Sequence, residues 1–547
     1  MKSNESKDKL LSTIGLCGKW QLIYISYVAL ITLPTVWPSL NIKFLAFHTD
    51  YWCERPNDFE DLSLWKNISS PYKLHDGKNV RDSCLLYEDP LADHAQDNRT
   101  IKCTKWEYDQ SYFNNTIIQE WNLVCDRDYL SKLSQTIYFA GLLVGVFLSG
   151  IISDKFGRKK ALVPMTIGMA TAGVVMVFSN SIELFLFWRF VHGLATIGVF
   201  AVCFVWCMEL VGGKWSTIVG MGLEFPWVAG WLLLGLFAHC LGDWRGILLI
   251  TSIPTFLTAS VIWVLPESPR WLISVNRVEE AEVTIRRIVQ FNTKKPLPDD
   301  WKYNSTDSAH KEKSNTSSGK CLSAAFRSKS LILKALILFF NWFTNSFVYY
   351  GLTLNTSSLG GSVMLNFMVN GLLEIPAYSL ATWVLLKSGR KTPYVIMMLL
   401  TGIFLLLTTT IPRNVYANNW PHAVCAILGK FCITGSFAIS YIYTAEMYPT
   451  LVRSMGIGTS SLFARVGGIV APFVGGLDKV VSPTFPIAIF GLTAILAAGL
   501  ASFLPETGNK DMPDTVEDSE KFPLSLSDGF SQLFHGKEKE NAENINL

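Results

Sequence analysis

Long apolar windows recur along the chain at the length needed to cross a lipid bilayer. A spanning helix takes about 20 mostly apolar residues. Six such windows occur in the first half, at residues 22–40, 133–152, 161–180, 184–208, 216–241 and 246–265. Six more follow, at residues 331–354, 361–386, 393–411, 421–445, 452–477 and 484–504. The pattern predicts an all-α membrane protein with twelve transmembrane helices, called here spans 1 to 12.

Polar segments divide the chain into five regions. We predict an N-terminal segment at residues 1–21 and a first six-helix half at residues 22–265, which contains an extracellular domain at residues 41–130. A central loop with short helices follows at residues 266–330, then a second six-helix half at residues 331–504 and a tail at residues 505–547. The sequence Val-Glu-Glu-Ala-Glu-Val at residues 278–283 indicates one of the short helices.

Basic residues cluster in loops on one side of the predicted membrane. The loop after span 2 contains Asp-Lys-Phe-Gly-Arg-Lys-Lys at residues 154–160, and the loop after span 8 contains Lys-Ser-Gly-Arg-Lys at residues 387–391. Lys and Arg are enriched in cytoplasmic loops. We therefore expect these loops to be cytoplasmic, and the even number of spans puts both termini on the same side.

Composition fits a membrane protein, and the net charge says little about partners. Half of the 547 residues are apolar, and the 47 basic residues nearly cancel the 44 acidic ones, so no nucleic acid partner is expected. The polar segments contain no metal-ligand spacing, nucleophile motif or phosphate-binding loop. We expect neither an enzyme nor a bound cofactor or metal.

The predicted extracellular domain contains four of the eleven cysteines, Cys53, Cys84, Cys103 and Cys125. Thiols outside the cell are expected to oxidise, and an even number in a small polar domain predicts two disulfides. Three pairings are possible. The same domain has candidate glycosylation sites in Asn-X-Ser/Thr sequences at Asn67, Asn98 and Asn114.

A set of polar signatures occurs twice along the chain. They recur at nearly constant offsets of 232, 237 and 239 residues: Gly-Arg-Lys at 157–159 and 389–391, a glutamate at 209 and 446, and Pro-Glu at 266–267 and 505–506. Such offsets indicate an internal duplication. Two six-helix halves with a substrate site between them at the midplane define the major facilitator architecture, which works by rocking alternating access.

Charged residues at the predicted cytoplasmic helix ends form a candidate gate. Orientation in the membrane needs basic residues but no carboxylates, so the repeated acids indicate ion pairs that form when the cytoplasmic side closes. Simple orientation signals are the alternative for the basic members. The candidate gate residues are Asp154, Arg158, Glu209, Glu267, Arg270, Arg390, Glu446 and Arg453.

Four segments contain motifs specific enough to indicate a family. They are Asp-Tyr-Trp-Cys-Glu-Arg-Pro at 50–56, Thr-Ile-Ile-Gln-Glu-Trp-Asn-Leu-Val-Cys-Asp at 116–126, Pro-Glu-Ser-Pro-Arg-Trp-Leu at 266–272 and Ala-Glu-Met-Tyr-Pro-Thr-Leu-Val-Arg at 445–453. Together they resemble solute carrier family 22, the organic cation, zwitterion and anion transporters, over residues 10–507. Sugar porters share Pro-Glu-Ser-Pro-Arg, whereas the segment that closes the long first loop is more specific.

Four ionisable side chains fall inside predicted spans: Glu224, Glu374, Lys430 and Arg465. Each costs about 2.5–3.5 kcal/mol at mid-bilayer, so each should face a cavity or a partner. One interpretation is a buried pair, such as Glu374 with Lys430 or Arg465. The other is substrate binding, and Glu224 could also be a proton site.

The resemblance implies roles for several of these residues. It implies that Glu374 is the acid set against a positive substrate, and that Arg465 stands where cation transporters have an aspartate and anion or zwitterion carriers an arginine. A carboxylate and a guanidinium in one cavity suit a substrate with both charges. The resemblance also implies that Trp342, Tyr349 and Phe200 present ring faces, over which a desolvated quaternary ammonium gains about 2 kcal/mol.

We therefore expect a polyspecific transporter of small organic cations and zwitterions, such as betaine- or carnitine-like compounds, in the plasma membrane. Two alternatives are an organic anion exchanger, which Arg465 and Lys430 favour and the two glutamates disfavour, and a non-transporting ligand sensor with a carrier fold. The membrane potential draws a cation inward but gives a zwitterion nothing. A zwitterion substrate therefore predicts sodium or proton coupling, or exchange.

Overall fold

The computed structural model of the protein describes residues 9–56, 59–75, 78–89, 99–298, 300–303, 328–354, 363–412, 415–416, 420–448, 453–478, 481–482 and 484–508. Within these residues, eleven helices are long and apolar enough to cross a membrane, and an apolar helix of 17 residues supplies a twelfth. They are α1 Lys19–Leu45, α2 Cys125–Phe156, α3 Arg158–Val177, α4 Ile182–Leu210, α5 Trp215–Leu241, α6 Trp244–Val264, α7 Lys329–Leu354, α8 Val363–Lys387, α9 Lys391–Thr410, α10 Trp420–Met447, α11 Met455–Asp478 and α12 Phe485–Ala501. Each lies over one predicted window, so the predicted fold class is confirmed.

Local sequence sets where several of these helices begin. The Ser181 side chain accepts a hydrogen bond from the backbone N–H of Leu184 and caps α4, and Asp243 caps α6 through the N–H of Gly246. Gly157, between α2 and α3, has a φ of 103°, which side chains rarely allow. The caps satisfy N–H groups that the start of a helix leaves unpaired.

Glycines let the helices of each bundle approach closely. A Cβ on Gly141 of α2 would lie 2.2 Å from the carbonyl oxygen of Phe190 in α4. One on Gly467 of α11 would lie 2.3 Å from the carbonyl oxygen of Phe343 in α7. Small residues at helix contacts allow such close backbone packing in membranes. The first contact holds the bundle of α1 to α6 together, and the second holds the bundle of α7 to α12.

Contacts between the two bundles run along α2 and α11 and along α5 and α8. The hydroxyl of Thr136 in α2 donates to the carbonyl oxygen of Ile469 in α11 at 3.4 Å. Trp231 Nε1 in α5 donates to the carbonyl oxygen of Phe367 in α8 at 3.0 Å. The bundles thus meet through helices on both sides of a central space.

The central segment after α6 contains two short helices, Pro269–Ser274 and Val278–Thr293. The longer of them buries Ile285 and Ile288 in an apolar cluster that also contains residues of the helix Lys9–Ile14 and of the first bundle. This segment therefore packs against the first bundle.

The inserted domain lies within residues 41–130 and shares its ends with α1 and α2. Its described residues contain three two-stranded antiparallel sheets, which pair β1 with β6, β2 with β3 and β4 with β5. The strands are β1 Tyr51–Cys53, β2 Tyr72–His75, β3 Lys78–Arg81, β4 Leu85–Tyr87, β5 Thr100–Lys102 and β6 Trp106–Tyr108. Disulfides join Cys53 to Cys103 and Cys84 to Cys125. The four cysteines therefore form two disulfides as predicted, in one of the three possible pairings.

Glu120 attaches the inserted domain to the first bundle. Its carboxylate accepts hydrogen bonds from Trp244 Nε1 at 2.8 Å and from the Asn115 amide at 3.2 Å, and it pairs with Arg245. Burial acts to raise the pKa of Glu120, but the donors from Arg245, Trp244 and Asn115 outweigh burial and hold that pKa below its usual value. Because Trp244 and Arg245 begin α6, the domain is tied to that end of the bundle.

Two of the candidate glycosylation sites are exposed on the inserted domain. Asn67 and Asn114 both lie at its surface. Asn98 lies outside the described residues. The exposed pair remains accessible to a modifying enzyme if this domain faces the secretory lumen.

Candidate substrate-binding site

A cavity lies between the two bundles, near the middle of the spanning helices. The first bundle lines it from α1, α2, α4 and α5, and the second from α7, α8, α10 and α11. The lining residues are Thr35, Ser39, Tyr138, Leu142, Thr196, Ile197, Phe200, Glu224, Trp227, Tyr349, Tyr350, Tyr378, Phe437, Ala438, Tyr441 and Arg465. This is the midplane position at which two-bundle transporters bind substrate.

Two opposite charges in this lining come from opposite bundles. Glu224 belongs to α5 and Arg465 to α11. Arg465 is 7% exposed, and its Nε has no hydrogen-bond partner among the described residues. Within the same part of the chain, neither Glu224 nor Arg465 forms an ion pair. The cavity therefore offers a carboxylate and a guanidinium to a ligand.

Glu224 and Glu374 both stand where a spanning helix is interrupted, two residues before a proline. Pro226 and Pro376 have no backbone N–H, so a hydrogen bond of the helix is lost at each break. Interrupted helices form substrate sites in many transporters. Glu224 lines the cavity, whereas Glu374 lies behind its wall.

Glu374 and Lys430 form a buried ion pair. Their closest oxygen and nitrogen atoms are 3.4 Å apart, and each side chain is 1% exposed. The Tyr349 hydroxyl donates to Glu374 at 2.5 Å, and Lys430 Nζ donates to the Thr353 hydroxyl at 2.7 Å. The sequence left two interpretations for each charged residue inside a span, a buried pair or substrate binding. In the structure Glu374 and Lys430 form a buried pair.

Aromatic rings make up much of the cavity wall. Phe200 and Tyr349, both predicted, line it. Trp342 does not line the cavity. It is fully buried, with its ring 4.5 Å from that of Tyr441 and 6.1 Å from that of Phe437. Tyr441 and Phe437 do line the cavity, so Trp342 positions the wall from behind.

Four lining tyrosines were not predicted from the sequence: Tyr138, Tyr350, Tyr378 and Tyr441. Tyr378 follows Glu374 by four residues and Tyr441 follows Phe437 by four, a spacing that shares one helix face. Because Glu374 was predicted and Phe437 was not, this spacing is a signal that could have identified Tyr378 only. Tyr138 has no comparable signal in its own helix.

Tyr138 is held in place by a buried polar network to which sequence reasoning assigned no role. Arg189 of α4 is fully buried and donates to Asn41 of α1 at 2.9 Å and to Gln135 of α2 at 3.2 Å. Its guanidinium lies 4.7 Å from the centre of the Tyr138 ring. The network ties three helices of the first bundle together directly behind the cavity.

Arg158 contacts three carboxylates of the candidate gate. Its guanidinium pairs with Asp154 at 2.6 Å and with Glu209 at 2.8 Å. Glu267 accepts hydrogen bonds from the backbone N–H of Arg158 at 2.8 Å and of Lys159 at 3.2 Å. The cluster connects the ends of α2, α3, α4 and the segment after α6.

The second bundle repeats this cluster around Arg390. Arg390 pairs with Glu446 at 3.2 Å, and Glu506 accepts hydrogen bonds from the backbone N–H of Arg390 at 2.7 Å and of Lys391 at 3.1 Å. Both clusters join helix ends within one bundle. Their gate role stays a prediction.

The two remaining candidate gate residues are Arg270 and Arg453. Arg270 is in the short helix Pro269–Ser274. The side chain of Arg453 lies outside the described part of the chain. Their gate role also stays a prediction.

Two six-helix bundles around a polar and aromatic midplane cavity define a transporter of the major facilitator type. Two family models match the chain, "Sugar (and other) transporter" over residues 91–373 and "Major Facilitator Superfamily" over residues 335–538. Among solved structures, the proton:xylose symporter XylE bound to 6-bromo-6-deoxy-D-glucose has a TM-score of 0.60 at 17% identity, over 92% of this chain and 99% of that one. At that identity the likeness concerns the fold.

Similar proteins identify the family within this superfamily. The organic cation transporter protein of Drosophila melanogaster is 33% identical over 94% of both chains. The organic cation/carnitine transporter 2 of Homo sapiens is 32% identical over 93% of both. Organic cation transporter 1 of Caenorhabditis elegans is 30% identical over 94% of this chain and 88% of that one. The chain belongs to solute carrier family 22, and it is a multi-pass membrane transporter, not an enzyme.

Proposed function

We propose that the protein carries small organic cations and zwitterions across the plasma membrane, and that compounds with both charges fit it best. One observation carries this proposal: Glu224 and Arg465 face one aromatic cavity without ion-pair partners in the described chain. The relatives, which are named organic cation and organic cation/carnitine transporters, support the substrate class.

The two ends of a zwitterion have different partners in this cavity. A substrate ammonium gains from the Glu224 carboxylate and from the faces of surrounding rings such as Tyr349 and Phe437. A substrate carboxylate matches the planar fork of Arg465, which can donate two parallel hydrogen bonds. A betaine- or carnitine-like compound satisfies both groups at once.

Because the two charges belong to opposite bundles, substrate binding affects how readily the bundles close around the cavity. Closing the cavity around unpaired charges is costly, because each loses its hydration. A zwitterion that bridges Glu224 and Arg465 neutralises both, so the loaded cavity closes more readily than the empty one. Rocking of the bundles then exposes the substrate on the other side. We expect exchange of substrate for substrate to be faster than net uptake.

The energy source depends on the charge of the substrate. A potential of 100 mV contributes about 2.3 kcal/mol per charge to cation entry, whereas a zwitterion gains nothing from it. For a zwitterion we therefore propose sodium or proton coupling, or exchange. Uptake of a zwitterion that ignores sodium, pH and internal substrate would contradict this proposal.

We also propose that both termini and the two gate clusters are cytoplasmic. The basic sequences at residues 154–160 and 387–391 support this orientation. The inserted domain then faces the exterior, where its two disulfides are stable.

Uptake into cells tests the substrate class. The panel contains labelled tetraethylammonium, glycine betaine and p-aminohippurate, with sodium, pH and voltage varied. Glu224→Gln is expected to weaken tetraethylammonium and betaine uptake, and Arg465→Gln to weaken betaine uptake with little loss of tetraethylammonium uptake. Glu183→Gln, an exposed residue at the start of α4, is the matched control.

The same panel separates the alternatives. Uptake of p-aminohippurate alone, abolished by Arg465→Gln, would replace the proposal with organic anion exchange. Betaine that binds purified protein but never accumulates in proteoliposomes would replace it with a ligand sensor. Betaine uptake unchanged in both the Glu224 and the Arg465 variants would remove the site assignment.

A further inference from the structure

The Lys430 ammonium occupies the position of a bound cation. Its Nζ lies 3.0 Å from the centre of the Tyr349 ring, 5.4 Å from the Trp231 ring and 3.4 Å from a Glu374 oxygen. A carboxylate with ring faces around an ammonium is the chemistry that recognises alkylammonium ligands. Glu374, Tyr349 and Trp231 therefore form a cation site whose occupant is a side chain of the protein itself.

One layer of side chains separates this site from the cavity. Tyr349 and Tyr378 both line the cavity, and their hydroxyls donate to Glu374 at 2.5 Å and 3.5 Å. Rotation of either ring opens a path from the cavity to the carboxylate. The site and the cavity are thus neighbours with a shared wall.

The site also lies at the boundary between the bundles. Trp231 belongs to α5 of the first bundle, whereas Glu374 and Lys430 belong to α8 and α10 of the second. The Trp231 side chain donates to the carbonyl oxygen of Phe367 in α8. Rocking of the bundles would move Trp231 relative to Glu374 and Lys430 and so would change the environment of the Lys430 ammonium.

We propose that Lys430 is a tethered cation that keeps organic cations out of the Glu374 site and so determines the charge selectivity of the cavity. With Lys430 present, Glu374 is neutralised, and the charges left to a ligand are those of Glu224 and Arg465. Without Lys430, Glu374 is a second acid next to the cavity, and the balance moves from zwitterions toward cations. The inference rests on the proposed function only in taking the cavity as the substrate site.

A purely structural pair is the competing explanation. Removing one partner of a buried ion pair leaves an unpaired charge and destabilises the protein, whereas removing both is often tolerated. A structural role therefore predicts that Lys430→Ala loses stability and that the double variant Lys430→Ala/Glu374→Gln regains it. It predicts no new affinity for cations.

Cation binding by the purified full-length protein distinguishes the two. The probe is butylammonium, which imitates the lysine side chain, and the readout is its concentration-dependent thermal stabilisation in detergent. Lys430→Ala is expected to bind butylammonium about tenfold more tightly than the unmodified protein does, which corresponds to about 1.4 kcal/mol. Lys430→Arg, which keeps a cation in place, and the double variant with Glu374→Gln are expected to show no gain.

Two results would overturn the proposal. One is equal butylammonium affinity in Lys430→Ala and the unmodified protein, and the other is a gain that survives Glu374→Gln. If Lys430→Ala folds poorly, expression with butylammonium replaces the titration: recovery with butylammonium but not with butanol supports the cation site, and no recovery refutes it. Binding is measured without transport, so failure of the proposed substrate class leaves this test unaffected.

Discussion

Glu267 and Glu506 make the same contacts in the two halves of the chain. Glu267 accepts hydrogen bonds from the backbone N–H of Arg158 at 2.8 Å, and Glu506 accepts one from the backbone N–H of Arg390 at 2.7 Å. Each carboxylate thus caps the start of a helix, α3 beginning at Arg158 and α9 directly after Arg390, where the helix dipole favours a negative charge. In each half, the glutamate of the duplicated Pro-Glu signature therefore contacts the backbone of the duplicated Gly-Arg-Lys signature.

The gate clusters predict a separation between turnover and affinity. Glu446 binds the Arg390 guanidinium at 3.2 Å and accepts from the Thr507 hydroxyl at 2.6 Å, and the cavity lining includes none of these three residues. Glu446→Gln keeps an oxygen acceptor but removes the negative charge that pairs with Arg390, and hydrogen bonds between two charged groups are the stronger ones. We expect the maximal uptake rate to fall roughly tenfold or more, while the KM stays within about twofold.

Glu279→Gln is the control for this measurement, because Glu279 is exposed on the short helix Val278–Thr293. It is expected to leave both parameters unchanged. A normal maximal rate in Glu446→Gln, measured at equal surface expression, would remove the gate role.

Glu120 predicts that the inserted domain loosens in acid. Because its folded pKa is below the usual 4.5, its contribution to stability is complete above that value and is lost as the pH falls through the folded pKa. Glu120→Gln should make the domain more sensitive to proteinase K at neutral pH and remove the further increase in acid. Limited proteolysis of the purified full-length protein from pH 7 to pH 4, a range over which this protease stays active, measures both effects.

Asp126→Asn is the matched control for Glu120. Asp126 pairs with Lys102 at 2.8 Å, but both side chains are largely exposed. Exposed pairs contribute about 0–1 kcal/mol. Equal protease sensitivity in the Glu120 and Asp126 variants would show that the Glu120 contact does not hold the domain.

The disulfide pairing predicts a pattern of double variants. Cys84→Ser breaks the bond that closes a 41-residue separation, and adding Cys125→Ser removes nothing more. Loss of such a bond typically costs about 2–5 kcal/mol. Cell-surface abundance should therefore fall equally in Cys84→Ser and in Cys84→Ser/Cys125→Ser.

Combining Cys84→Ser with Cys53→Ser should be worse, because both bonds are lost. Cys240→Ser, which changes an exposed free cysteine of α5, serves as the control. A milder defect for the Cys53 and Cys84 combination than for the Cys84 and Cys125 combination would contradict the pairing.

Glycosylation tests the orientation of the whole chain. If the inserted domain is extracellular, glycosidase treatment should increase the gel mobility of the protein, and the change should disappear when Asn67, Asn98 and Asn114 are all replaced by Gln. A mobility change that persists in the triple variant would place modified residues elsewhere and contradict the predicted topology.

Much of the fold was accessible from the sequence because the signals are local. An apolar window of about 20 residues identifies a span without knowledge of its neighbours. The duplicated signatures around Arg158 and Arg390 indicated two related halves, and the structure adds that Glu267 and Glu506 bind backbone N–H groups. The four cysteines were identified by count and place.

Only the tertiary structure decided which groups meet. The sequence allowed Glu374 to face the substrate, Lys430 or Arg465, and helix packing brings it to Lys430 and leaves Glu224 and Arg465 at the cavity. Cysteine pairing was equally open. Hydropathy records how much a residue prefers lipid to water, but it does not record the rotation of one helix against the next. That rotation, set by contacts such as Gly141 against α4, determines which side chain of a span faces substrate and which faces a partner.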